Sequence, residues 1–159
     1  MAKPGTTELL KRAVRHLVDL DYFVWPAKIE GSKTRQAYTI EKDGIKKTVL
    51  IQCRSKDSFK SLQPKRYVVG LMRWAFEKTD AYVLYFDGEK RMFMIPSEVL
   101  KKEFDNCKNT AGFSGDHNQQ WRVNIYPCSA GLYSQNSEYD IRLDEYEWNL
   151  KSEGVNQSE

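Results

Sequence analysis

Two polar residues at the end of an apolar run carry the first indication of chemistry. Gln52 and Arg54 follow the run Val49-Leu50-Ile51, and side chains two positions apart on a strand share one face. The side-chain carbonyl of Gln52 is an oxygen ligand of the kind that Mg²⁺ accepts. The guanidinium of Arg54 is always charged, so it could hold a phosphate but is a poor proton carrier. The same pair also fits an exposed strand tip.

One acid lies at the start of the first amphipathic stretch. Glu8 precedes apolar residues that recur at three-and-four spacing and predict a helix, namely Leu9, Leu10, Ala13, Val14, Leu17 and Val18. Its carboxylate could converge with a strand end on a divalent metal, which phosphodiester hydrolysis uses to activate water and to stabilise charge on the phosphate. An acid in a first helical turn also favours the helix dipole, and both interpretations stay open.

Positive charge is concentrated in one segment. Between positions 46 and 73 there are eight cations and one acid, Asp57, in a chain whose net charge is +3. Such asymmetry is typical of a surface that binds a phosphate backbone, although an ordinary solvated face gives the same pattern. The cations are Lys46, Lys47, Arg54, Lys56, Lys60, Lys65, Arg66 and Arg73.

The elements that must position these residues follow from periodicity and turn residues. In chain order we predict a helix over 7–20, a strand over 22–25, a hairpin of 36–42 and 45–54, a helix over 65–78, a hairpin of 81–86 and 91–95, a helix over 97–104, a loop over 105–120, a strand over 121–126 and a helix over 143–151. The order predicts one α/β domain over 1–151 with a frayed polar tail over 152–159.

Composition excludes several classes of protein. The 159 residues are 40% hydrophobic and 30% charged, which suits a globular domain, and no apolar run approaches the length of a membrane span. Cys53, Cys107 and Cys128 form no Cys-x-x-Cys motif, so neither a disulfide framework nor a zinc site is expected. With no apolar signal segment at the N-terminus, we expect a cytoplasmic protein.

The element order and the Gln52-x-Arg54 triplet together resemble the PD-(D/E)XK nuclease superfamily. The Ile51-Gln52-Cys53-Arg54 stretch is similar to branches with Gln-x-Lys, among them a homing endonuclease of cyanobacterial group I introns, and Phe93-Met94-Ile95-Pro96-Ser97 is similar to small nucleases of that kind. The resemblance covers roughly residues 7–126. It implies a restriction-endonuclease-like mixed sheet flanked by helices, and Mg²⁺-dependent, site-specific cleavage of double-stranded DNA by a homo-oligomer.

Carried onto this sequence, the resemblance implies a metal site of Glu8 and Gln52, completed by an acid where Ala37 stands, with Arg54 in place of the superfamily's lysine. Alanine cannot bind metal, so the chain is either an inactivated variant or a degenerate member, unless Glu41 on the same strand face replaces the acid. The DNA-binding residues predicted from the basic segment are Lys46, Lys47, Lys56, Lys60, Lys65 and Arg66.

Two other functions fit the same residues. One is a DNA-binding module that keeps the fold without catalysis, and the other is an adaptor whose basic face binds an acidic protein. A short chain reads a long DNA site only by assembling, and Tyr139, Tyr146 and Trp148 are candidate anchors of such an interface.

Overall fold

The computed structural model describes residues 6–32, 34–55, 67–107, 120–126, 131–134 and 140–148. Three helices lie among them, α1 (Thr6–Asp19), α2 (Arg73–Lys78) and α3 (Ser97–Cys107). The strands are β1 (Phe23–Pro26), β2 (Ala37–Lys42), β3 (Ile45–Arg54), β4 (Tyr67–Met72), β5 (Ala81–Phe86), β6 (Arg91–Pro96), β7 (Gln120–Tyr126), β8 (Gly131–Ser134), β9 (Asp140–Arg142) and β10 (Glu147–Trp148).

The expected α/β architecture, a mixed sheet flanked by helices, is confirmed. The main sheet has six strands in the order β1-β2-β3-β5-β6-β10, with β3 and β5 parallel and the other neighbours antiparallel. A second, antiparallel sheet has the order β4-β7-β8-β9. The carboxyl ends of β3 and β5 therefore lie side by side, where functional residues of α/β proteins commonly collect.

Two apolar cores cover the two faces of the main sheet. On one face Leu9, Ala13 and Leu17 of α1 pack against the side chains of Ile51 and Cys53. On the other face the second sheet, α2 and α3 pack against a different set of strand residues, including Ala37, Leu50, Tyr82, Leu84 and Phe86. Because side chains alternate along β3, Gln52 and Arg54 belong to the face that carries Leu50, away from α1.

Local sequence explains the elements that were predicted correctly. In the apolar stripe of α1, Leu9, Ala13 and Leu17 are buried as expected, whereas Val18 is exposed. The β2–β3 hairpin turns at Asp43 and Gly44, with φ of 55° and 80°. Two successive residues with positive φ form the tight turn that matches strand twist, and Asp-Gly tolerates it. The predicted strands in 81–86, 91–95 and 121–126 are likewise confirmed.

The helix predicted over 65–78 is wrong in its first part. Tyr67–Met72 forms β4, and only Arg73–Lys78 is helical. Val68 and Val69 favour strands, Gly70 disfavours a helix, and the segment pairs with β7 along its whole length. Residues 56–66, which hold four of the predicted DNA-binding cations, lie outside the described residues.

The C-terminal prediction needs a second correction. A helix was expected over 143–151, but Asp144–Tyr146 forms a single 3-10 turn and Glu147–Trp148 forms β10, which pairs with β6.

The loop predicted over 105–120 is too long at both ends, because α3 continues to Cys107 and β7 begins at Gln120. Residues 108–119, Tyr139 and the predicted tail lie outside the described residues. No helix in the described ranges is long and apolar enough to cross a membrane.

Candidate functional site

Gln52 is held firmly between the two sheets. Its Oε1 accepts a hydrogen bond of 2.6 Å from the Tyr82 hydroxyl, and its Nε2 donates one of 3.0 Å to the Gly70 carbonyl of β4. Burial raises the pKa of Tyr82, so this hydroxyl remains a proton donor at neutral pH, and it also accepts a 3.3 Å bond from the Met72 amide. The second lone pair of Oε1 is the coordinating capacity that Gln52 retains.

Arg54 ends β3 on the same face as Gln52 and is half-buried. Its Nη1 donates to the Cys53 carbonyl at 2.9 Å, and no carboxylate of the described residues lies within salt-bridge distance of it. Burial lowers the pKa of Arg54, but a guanidinium stays charged in proteins. A partly desolvated guanidinium that pairs with none of the described carboxylates is suited to an incoming anion.

Ala37 lies near Gln52 but contributes no ligand. It pairs with Leu50 across the hairpin, on the face that carries Gln52, and is 2% exposed within the apolar core. Diagonal neighbours in an antiparallel pair are roughly 7 Å apart, so a longer side chain at position 37 could reach Gln52. Glu41 is paired with Lys46, six residues along β3 from Gln52 and hence about 20 Å away, which is too far to replace it.

Glu8 lies on the other side of the sheet. It is exposed in the first turn of α1 and forms a 3.5 Å ion pair with Arg12, while α1 packs on the face opposite to Gln52 and Arg54. The fold thus brings position 37, Gln52 and Arg54 together on one face and leaves Glu8 on the helix that covers the other.

Sequence reasoning missed a buried acid, Asp87, immediately after β5. One oxygen accepts a 2.7 Å bond from Arg12 Nη1 and the other a 2.7 Å bond from the Tyr85 hydroxyl, with Lys90 Nζ at 3.5 Å. Burial alone would raise the pKa of Asp87, but the Tyr85 hydrogen bond and the charges of Lys90 and Arg12 lower it overall. Asp87 lies in the turn of the hairpin predicted from 81–86 and 91–95, and its place at the carboxyl end of a central strand is the signal that could have indicated it.

Two of the predicted DNA-binding cations are described, and both lie at the other end of β3. Lys46 is exposed, with Nζ 6.0 Å from the centre of the Trp25 ring. Lys47 is half-buried beside a small hollow of about 170 Å³ that Tyr22 and Ile45 also line. Arg73, from the same basic segment, forms a 3.6 Å ion pair with Glu77. Lys56, Lys60, Lys65 and Arg66 lie outside the described residues.

The residues expected to bind Mg²⁺ do not fit that ion as the chain stands. Position 37 has no side-chain oxygen, the Gln52 amide is already bonded at both ends, and Glu8 lies across the sheet. Within the described ranges, no group of three His, Cys, Asp or Glu side chains is placed to hold a metal ion. The arrangement can bind an anion at Arg54, and it needs a further acid before it can bind a divalent cation beside it.

No protein-family model matches this chain, and no curated protein matches it. Among solved structures it is similar to a bacterial homing endonuclease, I-Ssp6803I, with 14% sequence identity and a TM-score of 0.51. The similarity covers 90% of this chain and 89% of that one. At this identity the similarity concerns the fold, and the fold of this chain resembles that of a homing endonuclease.

Proposed function

We propose that this protein binds double-stranded DNA and is an inactive form of a metal-dependent, site-specific endonuclease of the PD-(D/E)XK type. The fold similarity to a homing endonuclease, which covers 90% of this chain and 89% of that one, supports this proposal. The alanine at position 37 removes the acid that such a site needs. As it stands, the chain binds its DNA without cutting it.

The observation that carries this proposal is the environment of Arg54. The guanidinium is half-buried, so it has lost part of its hydration, and among the described residues its recorded hydrogen bond goes to a main-chain carbonyl and not to a carboxylate. A phosphate would compensate that loss with two parallel charged hydrogen bonds. The position is also appropriate, since Arg54 ends a central strand beside Gln52 and on the face of position 37.

The further DNA contacts and the oligomeric state that we propose follow from the basic segment and from the length of the chain. Lys46, Lys47 and the predicted cations at 56, 60, 65 and 66 would add contacts to the phosphate backbone. Phosphate contacts fix register on the duplex but carry no sequence information, so base contacts must come from other residues. Two or more copies of a chain this short would be needed to span a long site, and we therefore propose a homo-oligomer.

The test compares the unchanged chain with Ala37→Asp and Ala37→Asn on plasmid DNA, with and without Mg²⁺. The two variants differ in one charge but have the same size, so both disturb the apolar surroundings of position 37 similarly. We expect Mg²⁺-dependent cutting from Ala37→Asp alone. If Ala37→Asn or the unchanged chain also cuts with Mg²⁺, the acid lies elsewhere and the proposed site is wrong.

The second candidate is a DNA-binding module that does not cut even with the acid restored. It is favoured by one observation, the engagement of both ends of the Gln52 amide by Tyr82 and Gly70, which is how a structural cross-link between two sheets is built. In that case all three chains bind DNA in a salt-sensitive way and none cuts. Salt-insensitive or absent DNA binding would instead favour the adaptor for an acidic protein.

A further inference from the structure

Two aromatic side chains are exposed on the outermost strand of the main sheet. Among the described strands β1 pairs only with β2, and 71% of Phe23 and 39% of Trp25 are exposed. The two residues are two positions apart on a strand, so they lie on one face about 7 Å apart. Single apolar residues scattered over a surface need no explanation, but two large aromatic rings side by side on an open sheet face indicate a binding surface.

The register of the sheet shows which face carries these rings. Trp25 pairs with Thr39, which in turn pairs with Thr48 of β3. Because Thr48 is six residues from Arg54, both side chains lie on one face, about 20 Å apart along the strand. Val24, between the two rings, packs instead into the core on the side of α1. The rings therefore lie on the same face of the sheet as Arg54.

The apolar core on this face ends before it reaches the rings. Leu50 is 3% exposed within the core that the second sheet shares, whereas Thr48 is half-buried and Lys46 is exposed. Exposure thus rises towards the first residues of β3, and β1 lies at that open end. The rings and Arg54 are two separate surfaces on one sheet face, with apolar core between them.

The polar groups around the rings are suited to the edges of nucleobases. Lys46 Nζ lies 6.0 Å from the centre of the Trp25 ring, and the half-buried Glu41 lies between Lys46 and Phe23 in one row of the sheet. A lysine donates to guanine and a glutamate accepts from cytosine, while an aromatic ring stacks on any base. Aromatic residues on an open sheet face are one way in which proteins hold unpaired bases. We call Phe23, Trp25, Glu41 and Lys46 the aromatic patch.

Two other occupants fit the aromatic patch less well. A further strand would have to pair with the edge of β1, but β1 has only four residues and ends at Pro26. Short edge strands and proline both disfavour such pairing. A second copy of the chain would bury Glu41 and Lys46 against it, whereas the core of a protein interface is depleted in charged side chains.

We propose that Phe23 and Trp25 form a binding surface for unpaired bases of DNA, separate from the phosphate contact at Arg54. The inference rests on the proposed function in taking DNA as the ligand. It supplies contacts to bases, which phosphate-binding cations do not provide. Bases inside a duplex are stacked and paired and cannot reach such a surface, so it acts where a single strand adjoins the duplex.

The test measures affinity by fluorescence anisotropy for a blunt duplex, for the same duplex with single-stranded tails of about 12 nucleotides, and for the tail strand alone. We expect the tails to raise affinity at least about 10-fold, because stacking of one base on an aromatic ring contributes about that factor. Trp25→Leu keeps an apolar side chain but removes the ring. It should abolish the gain and leave affinity for the blunt duplex unchanged, whereas Trp25→Phe should retain most of the gain.

Ile45→Ala is the matched control, because Ile45 is 62% exposed at the same end of the sheet. It is six residues from Ile51 on β3 and therefore faces the side of α1, as Ile51 does. This variant should leave all three affinities unchanged. Urea midpoints show whether each variant keeps the fold, and Phe23→Leu, at the more exposed ring, is the second variant should Trp25→Leu lower the midpoint.

The three probes separate this inference from the proposed function. Equal affinity for blunt and tailed duplexes, a gain that survives both Trp25→Leu and Phe23→Leu, or an equal loss in Ile45→Ala overturns the inference and leaves duplex binding intact. If the blunt duplex is not bound, the proposed function fails, and the tail strand alone decides: binding that Trp25→Leu removes supports the surface, and absent binding overturns it. If Trp25→Leu instead dissociates an oligomer in sedimentation, the rings join two copies and the inference is overturned.

Discussion

Replacing Arg54 with methionine tests whether this residue contributes to DNA binding, as we propose. Methionine keeps an unbranched apolar stem but removes the guanidinium, with its charge and all five donors. Losing a hydrogen-bonded charge contact to a phosphate should weaken binding about 10- to 100-fold at low salt. Each phosphate contact contributes about 0.9 to the slope of log affinity against log salt, so the variant's slope should be shallower by about that amount.

The salt dependence gives the more specific prediction. If one phosphate contact is lost, the ratio of the dissociation constants of Arg54→Met and the unchanged chain should fall by about 3.5-fold between 50 and 200 mM salt. The assay is fluorescence anisotropy on a short duplex, titrated at several salt concentrations. Lys102→Met is the matched control, because it makes the same change of net charge at an exposed position of α3. An unchanged slope in Arg54→Met, or an equal change in Lys102→Met, would refute the reasoning.

Three further predictions concern groups around the site. Burial raises the pKa of the Cys53 thiol to about 12, so in a chain with Cys107 and Cys128 changed to serine we expect no reaction with a thiol reagent at pH 8 until urea unfolds the protein. The pKa of Asp87 is lowered in the folded protein, so its ionised carboxylate stabilises the fold above the unfolded pKa, and this stabilisation is lost as the pH falls below about 4. The urea midpoints of the unchanged chain and of Asp87→Asn should therefore converge in acid. A difference between the two midpoints that stays constant with pH contradicts this prediction. Tyr82→Phe should cost about 1–3 kcal/mol of unfolding free energy, whereas Tyr38→Phe should cost less, because the Tyr38 hydroxyl bonds to none of the described residues.

The elements that sequence predicted correctly are those whose stabilising contacts are close in the chain. The stripe of α1 and the Asp43-Gly44 turn specify their structures within a few residues. The segment containing Val68, Val69 and Leu71 fits helical spacing as well as strand propensity, and its pairing with β7, some fifty residues later, decides between them. Pairing between distant segments likewise produces β10, which no local pattern marks.

The candidate site was predictable to the same extent. The two-residue period of a strand was enough to place Gln52 and Arg54 on one face. Nothing local tells which face of the sheet α1 covers, and this tertiary choice separates Glu8 from Gln52. The burial of Asp87 depends on Arg12 and Tyr85, which come from different elements, so a sequence pattern could indicate the turn but not the role.

Under the proposed function, the burial of position 37 links the acid of an active form to its metal ion. A carboxylate there would sit in an apolar core, where an unpaired charge costs several kcal/mol, and no described cation lies opposite it to offset that cost. An acid at this position is therefore tolerable only when a bound cation compensates it, so the acid and the ion form one functional unit. Under the proposed function, alanine relieves this penalty and leaves Arg54 in place. Stability and activity then oppose each other at position 37, as they commonly do at functional sites. By this reasoning Ala37→Asp is less stable than the unchanged chain without Mg²⁺ and recovers stability when Mg²⁺ is added, while Ala37→Asn does not recover.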